Sequence, residues 1–463
     1  MEPRAPRPIP RGRVGRVAPF AGPVARSAGE AVIASFRKDR GGARSGEFHR
    51  RNAERYAQRM GNSRGLLMKA GQILSMVIPE GGVEGADCRG VYRRAFSKLF
   101  DDAPPMPTAV AIATVEAELG ASIGELFEHF DAVPVAAASI GQVHRARLRD
   151  GREVVVKVQY PGVEEAIQAD LANTELLGTF LQLLLTLVPN LSGMDARAMT
   201  REIIERIGEE IDYLTEAANQ REFAAAYAGH PFIRIPAVHE ELTTRRVLTM
   251  AFDDGIRYRD ARHAPQELRD RWAEAIYRFV WEGVARLGLS NSDPHPGNFL
   301  FHPDGSVTFL DFGCVKRLEP SQVQVYLGLF RHLLDRDPEA LHDWMIRCEY
   351  LRPDVPVDPQ QLLAMLTASY FYLEPPQPFT FTPDVVSFLF REAYHGPGKD
   401  LMRKMSAPAW QTMLVRMGAG SFAVLGGLGA TGHWRAILEE AWFAGPTATD
   451  YGLASSHFWA AGA

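Results

Sequence analysis

The segment SDPHPGNFLFHPDGSVTFLDFG, Ser292 to Gly313, sets Asp293, Asn298 and Asp311 around two short apolar runs. FLFH, PDG and SVTFL read as strand, turn and strand, so Asn298 stands just before the first strand and Asp311 just after the second. Both side chains then converge at one end of a hairpin. Mg²⁺ takes oxygen ligands, keeps several waters and bridges one or two carboxylates to phosphates, a role that Asp311 and Asn298 can fill. Asp293 precedes Asn298 by D-x4-N, a spacing that turns its carboxylate toward an attacking nucleophile while the amide faces metal. The chemistry is phosphoryl transfer, with Asp293 as base or nucleophile-orienting group. His295, beside two prolines and without a second histidine at ligand spacing, reads as loop packing.

A second group of residues lies upstream. In EVVVKVQY, alternation puts Val154, Val156 and Val158 on one face of a strand and Val155 with Lys157 on the other. A lysine in a valine strand needs an anionic partner, and kinase-type strands use one to pair the α/β-phosphates and a helix glutamate. A long helix from about Ala198 to Ala226 carries an apolar stripe of Ile204, Ile207, Ile211 and Leu214. By the helical period Glu210 borders that stripe, whereas Glu205, Glu209, Asp212 and Glu216 fall on its far side, so Glu210 is the expected partner of Lys157. Ala136, Ala137, Ala138 and Ser139 stand where kinases carry a glycine-rich phosphate loop. Alanine lacks ready access to positive φ, so this loop should be stiffer.

The elements that position these groups follow from periodicity. Residues 1–44 are a basic, disordered arm with Arg4, Arg7, Arg11, Arg13 and Arg16 among prolines, and 45–128 read as a helical extension. Residues 129–252 contain VPVAAAS, GQVHRARL, EVVVKVQY, FIRIPAVHEEL and RRVLTMAF as strands of a nucleotide-binding lobe. Residues 253–463 form a helical lobe carrying the D-x4-N and DFG motifs. The expected fold is α+β, bilobal and protein-kinase-like, with helical N- and C-terminal regions.

Composition excludes several classes. The formal charge of −5 over 463 residues offers no basic excess for nucleic acid. Cys88, Cys314 and Cys348 are far apart, without zinc or disulfide spacing, and a reducing cytoplasm is the default. The apolar runs ending at Pro189 and Ala430 fall short of the roughly 20 residues that span a bilayer.

Taken together, KAGQ (Lys69 to Gln72), AAAS followed by IGQVHRA, VVVKVQ, EID (Glu210 to Asp212) followed by Glu216, DPHPGN and DFG closely resemble the UbiB/AarF atypical kinases. That family includes the coenzyme Q biosynthesis kinases of bacteria, mitochondria and plastids, and the resemblance runs from Gly65 to Lys316. It implies an occluding KxGQ extension, with Lys69 and Gln72 meeting the acids Glu210, Asp212 and Glu216. The segment Thr249-Met250-Ala251-Phe252 is the implied hinge. It lacks the acidic residue that commonly follows the methionine, so adenine contacts at Met250 and Ala251 would rest on backbone groups.

The resemblance further implies ATP and Mg²⁺ as cofactors and an atypical kinase or ATPase activity supporting isoprenoid-quinone or other lipid metabolism. A lipid or quinone intermediate is the implied partner, with contact peripheral to a membrane and none to nucleic acid. The alternative is a nucleotide-binding pseudokinase that serves as scaffold or lipid chaperone.

Overall fold

A computed structural model describes residues 54, 106–137, 140–165, 167, 211–386, 388, 401, 404–405 and 409–462. By compactness the chain divides into Met1–Ala218 with Ala237–Phe252, and Asn219–Pro236 with Asp253–Ala463.

Among the described residues the first unit holds α1 (Thr108–Leu119), a short turn of helix α2 (Ile123–Leu126) and β1 (Phe127–Phe130). Three strands follow: β2 (Ala136–Ala137), β3 (Gly141–Leu148) and β4 (Glu153–Gln159). The β3–β4 turn needs Gly151, whose φ of +87° favours glycine, while the Asp150 carboxylate accepts the Arg152 N–H at 3.0 Å. Val154, Val156 and Val158 are fully buried, as their alternation requires. Opposite them on the same face lie Ala146, His144 and Gln142, and α1 packs over β4.

Gln142 is a polar residue in that apolar layer. Its Oε1 accepts the Met106 N–H at 2.8 Å, and its Nε2 lies 2.8 Å from His144 Nε2. His144 Nδ1 in turn lies 2.8 Å from the Asp131 carbonyl. Burial pushes the His144 imidazole below its ordinary pKa, which suits the neutral ring this chain of bonds needs.

The helix carrying the EID acids differs from expectation. Ile211 and Asp212 are not helical, and α3 runs from Tyr213 to Ala226. The Asp212 carboxylate accepts the Leu214 N–H at 2.9 Å, and its carbonyl accepts from Thr215 and Glu216, so it caps α3. On α3 Leu214 is exposed, whereas Glu216 is buried, the reverse of what a single helical phase carried from Ile204 through Leu214 predicts.

The strand expected over FIRIPAVHEEL is only β5 (Ile233–Arg234), because Pro236 ends it, and it belongs to the second unit. The chain then forms β6 (Val247–Ala251), which closes an antiparallel sheet of order β1-β3-β4-β6 with β2 on β3.

The second unit holds β7 (Ile256–Arg257), α4 (Tyr258–Ala261) and α5 (Gln266–Glu282). Helix α5 is buried continuously from Ala275 to Glu282, the mark of a core helix. After it come β8 (Leu289–Asn291), β9 (Phe299–Phe301), β10 (Val307–Phe309) and β11 (Val315–Arg317). Strand β5 runs parallel to β10, β9 and β10 form the expected hairpin, β7 flanks β9, and β11 pairs with β8. Helices α6 (Pro320–Leu334), α7 (Pro338–Arg347), α8 (Pro359–Ser369), α9 (Thr412–Leu428), α10 (Trp434–Phe443) and α11 (Asp450–Gly462) follow. No helix among the described residues is long and apolar enough to cross a membrane.

His230 sits between α3 and β5 with its Nδ1 accepting the Ile233 N–H at 3.2 Å. The rings of Tyr227, Phe232 and Phe458 crowd it, and burial pushes its pKa from 6.5 to about 4. The unfolded chain therefore binds a proton that the native state resists. His230's contribution to stability is complete above pH 6.5 and is lost as pH falls toward about 4. Denaturant titrations across this range should show that loss, and His230→Gln should flatten it.

Candidate nucleotide and metal site

Within the first unit, Lys157 Nζ donates to both carboxylate oxygens of Glu216 at 2.8 Å. Both side chains are buried, and the ammonium lies 4.9 Å from the Tyr213 ring centroid. Glu216 thus pairs with Lys157 where Glu210 was expected to: α3 starts only after Asp212, and it turns Glu216 inward. Glu210, Lys69 and Gln72 lie outside the described residues, as do Ala138 and Ser139. Asp212, besides capping α3, lies 3.6 Å from the Arg245 guanidinium. Ala136 and Ala137 pair with Val143 and Gln142 as the start of the sheet.

Met250 is buried in β6, opposite Val155, and Ala251 ends that strand. The Ala251 N–H is bonded to the Ala237 carbonyl at 2.8 Å and the Phe252 N–H to the Glu153 carbonyl at 3.0 Å. The hinge amides expected to face a base are therefore already engaged.

Within the second unit the β9–β10 hairpin does what its sequence requires. Phe299 pairs with Phe309, and the Leu310 N–H bonds the Asn298 carbonyl at 3.0 Å, so Asn298 and the residue before Asp311 close the same end. The D-x4-N loop is tightened by a His295 N–H to Asp293 carbonyl bond of 2.7 Å and an Asn298 N–H to His295 carbonyl bond of 2.9 Å. Asn298 Nδ2 donates to the Asp293 carbonyl at 3.0 Å. That bond uses the amide's donor end, so Oδ1 is the atom of Asn298 that could ligate a cation. Asp311 Oδ1 accepts the Gly313 N–H at 3.0 Å. Asp293, Asn298 and Asp311 are all partly exposed, as groups that meet a solute must be. A carboxylate and an amide oxygen at one hairpin end fit a hard, oxygen-seeking cation such as Mg²⁺. His295 Nδ1 accepts the Gly297 N–H at 3.0 Å, a local loop role.

Two side chains missed in the sequence complete this arrangement. Asn291 accepts the Asp293 N–H at 3.3 Å and donates to the Asp311 carbonyl at 2.7 Å. Asn219 donates to the Phe312 carbonyl at 2.9 Å. An asparagine immediately upstream of the D-x4-N motif was the available signal for the first; only the fold reveals the second.

Asp253, Asp254 and His302 also bring ligand atoms within 4.8 Å of one another. His302 Nε2, however, lies 3.0 Å from Asp253 Oδ1 and 2.9 Å from Thr308 Oγ1, and Asp253 also accepts the Gly255 N–H. Burial works against the Asp253 charge, but the His302, Gly255 and Thr308 bonds hold its carboxyl below the ordinary range. The cluster fastens Asp253–Gly255 to the hairpin.

Helix α9 supports the D-x4-N loop from below. A Cβ on Gly420 would come within 2.6 Å of Pro294 Cγ, so glycine permits the approach. Gly420→Ala should push Pro294 and its neighbour Asp293 aside. Its expected signature is lower turnover with Mg²⁺-nucleotide affinity largely retained, measured by steady-state kinetics beside equilibrium binding.

A buried lysine–glutamate pair in an antiparallel sheet unit, with D-x4-N and DFG at the end of a hairpin in a helical unit, defines a protein-kinase-like α+β protein. Residues 98–345 match the ABC1 atypical kinase-like domain. The chain belongs to this ABC1, or UbiB, family. It is 35% identical over 268 residues to the chloroplastic protein Activity of BC1 Complex Kinase 8 of Arabidopsis thaliana, covering 57% of this chain and 35% of that one. It is 32% identical over 343 residues to the mitochondrial atypical kinase COQ8B of Rattus norvegicus, covering 72% of this chain and 62% of that one. The chain thus spans only about a third of the first relative's length. Among solved structures, Rv3197 of Mycobacterium tuberculosis, in a complex with erythromycin, superposes with a TM-score of 0.61. It is 32% identical, covering 77% of this chain and 88% of that one.

Proposed function

We propose that the chain binds ATP with Mg²⁺ and acts as an atypical kinase or ATPase. The observation that carries this is the Asp293–Asn298–Asp311 arrangement. One hairpin end presents a carboxylate and an oriented amide oxygen, and the Asp293 carbonyl holds that amide in place. Mg²⁺ bound there would neutralise phosphate charge during transfer. Asp293 orients or deprotonates the nucleophile. Lys157, fixed by Glu216, supplies a positive charge for the nucleotide phosphates.

The acceptor in this proposal is of lipid or isoprenoid-quinone type, met peripherally at a membrane, in keeping with the motif resemblance to the coenzyme Q biosynthesis kinases. ATP turnover by the full chain, measured with and without anionic liposomes beside an Asp311→Asn control, tests the proposal. Turnover by wild type that the control lacks supports an enzyme, and stimulation by liposomes supports the lipid assignment. Equal rates for wild type and control would refute enzymatic use of this site.

A further inference from the structure

We infer that Asn219 and Asn291 are positioning residues that clamp the backbone of the Asp311-Phe312-Gly313 turn and thereby set how Asp311 meets its metal. The inference rests on the proposed role of Asp311 as an Mg²⁺ ligand. Two consecutive carbonyls of the turn are each held by an asparagine from a different element. Asn291, ending β8, donates to the Asp311 carbonyl at 2.7 Å. Asn219, on α3 and 5% exposed, donates to the Phe312 carbonyl at 2.9 Å.

Each amide is anchored at its other end. Asn291 Oδ1 accepts the Asp293 N–H at 3.3 Å, so one side chain spans the nucleophile-orienting loop and the metal-ligand turn. Asn219 Oδ1 accepts from Arg317 Nη2 at 2.9 Å, and that guanidinium also pairs with Glu222. The Phe312 ring is fully buried and packs 5.1 Å from Phe223, one helical turn beyond Asn219. The same face of α3 therefore holds both the ring and the carbonyl of Phe312. Meanwhile Asp311 Oδ1 is tied to the Gly313 N–H. Rotating either peptide plane of this turn breaks an asparagine bond, and turning the Phe312–Gly313 plane also withdraws the Gly313 N–H that holds the Asp311 carboxylate.

An amide can accept at one end and donate at the other; a carboxylate of the same shape can only accept. Asn219→Asp and Asn291→Asp consequently keep the bonds from Arg317 and the Asp293 N–H but put a carboxylate oxygen, which cannot donate, against the clamped carbonyl. The added negative charge by itself would tighten Mg²⁺, so the clamp predicts a change of opposite sign to simple electrostatics.

The test is an Mg²⁺ titration of ADP binding by the full chain, run for wild type, for both variants, and for each variant in an Asp311→Asn background, beside thermal melts. The expected result is an increase on the order of tenfold in the half-saturating Mg²⁺ concentration for each variant, the effect of about one hydrogen bond. Mg²⁺-free ADP affinity should be unchanged, and neither substitution should add anything once Asp311 is asparagine. Folded variants that follow the wild-type titration, or bind Mg²⁺ more tightly, would overturn the clamp. So would an effect undiminished in the Asp311→Asn background, which would mark a structural role only. Asn291 is partly exposed on a separate element, and its variant carries the test alone if Asn219→Asp does not fold. A wild type without any Mg²⁺-dependent ADP binding would refute the nucleotide reading itself, an outcome distinct from all of these.

Discussion

Asp311→Asn is expected to abolish the Mg²⁺-dependent part of ATP binding and to lower any turnover by roughly 100-fold or more, the scale of losing one preorganised electrostatic contact. The substitution is nearly isosteric. An asparagine Oδ1 can still accept the Gly313 N–H now bonded to Asp311 at 3.0 Å, and the carbonyls of residues 311 and 312 keep their Asn291 and Asn219 donors. What disappears is one formal negative charge at the hairpin end. Because Mg²⁺ is a hard cation that dehydrates reluctantly, a neutral amide beside Asn298 does not replace that charge. Calorimetric titration of ATP in Mg²⁺ and in excess chelator separates the two contributions. Wild type should bind more tightly with Mg²⁺, whereas the variant should give the same affinity in both. An Mg²⁺ enhancement that survives intact in Asp311→Asn would remove Asp311 from the metal site.

The hairpin that carries this chemistry was legible because its signals are local. Alternating apolar residues, a Pro-Asp-Gly turn and fixed spacings depend on no distant partner, and Phe299 pairs with Phe309 accordingly. The valine strand was equally legible, down to the faces of Val154, Val156, Val158 and Lys157. Lys157's partner was not, because helical phase was projected through Asp212 as if one helix ran from Ala198 to Ala226. Aspartate competes for backbone donors, and here Asp212 caps α3, on which Glu216 faces inward. The strand around Ile233 was misplaced for a related reason. Short apolar runs announce a strand but not its sheet, and Ile233 pairs in parallel with Val307, far away in sequence. Asn219 was illegible because its bond to Phe312 spans 93 positions, and no periodicity marks a residue selected for one long-range carbonyl.

The largest expected effect on stability lies away from the nucleotide site, at Arg278 in α5. Its guanidinium is fully buried and donates to Glu274 at 2.8 Å, to Glu282 at 2.7 Å and to Glu440 of α10 at 3.0 Å. Glu282 also accepts from Ser455 at 2.7 Å and Trp459 at 3.1 Å, so the cluster fastens α11 to the core helix. The approach is close enough that a Cβ on Gly452 would lie 2.5 Å from Glu440 Oε2 and 2.7 Å from Arg278 Nη2. Arg278→Met retains volume but leaves Glu282 and Glu440 buried without their common cation. Breaking one side of a buried ion pair costs about 3–5 kcal/mol, because the remaining charge keeps its desolvation penalty. For a unit of this size that corresponds to a fall on the order of 10 °C in melting temperature. Adding Glu282→Gln and Glu440→Gln to Arg278→Met should recover much of the loss. Denaturant unfolding of the single and triple variants measures both effects, and a single variant as stable as wild type would show that the cluster is not what holds α11 in place.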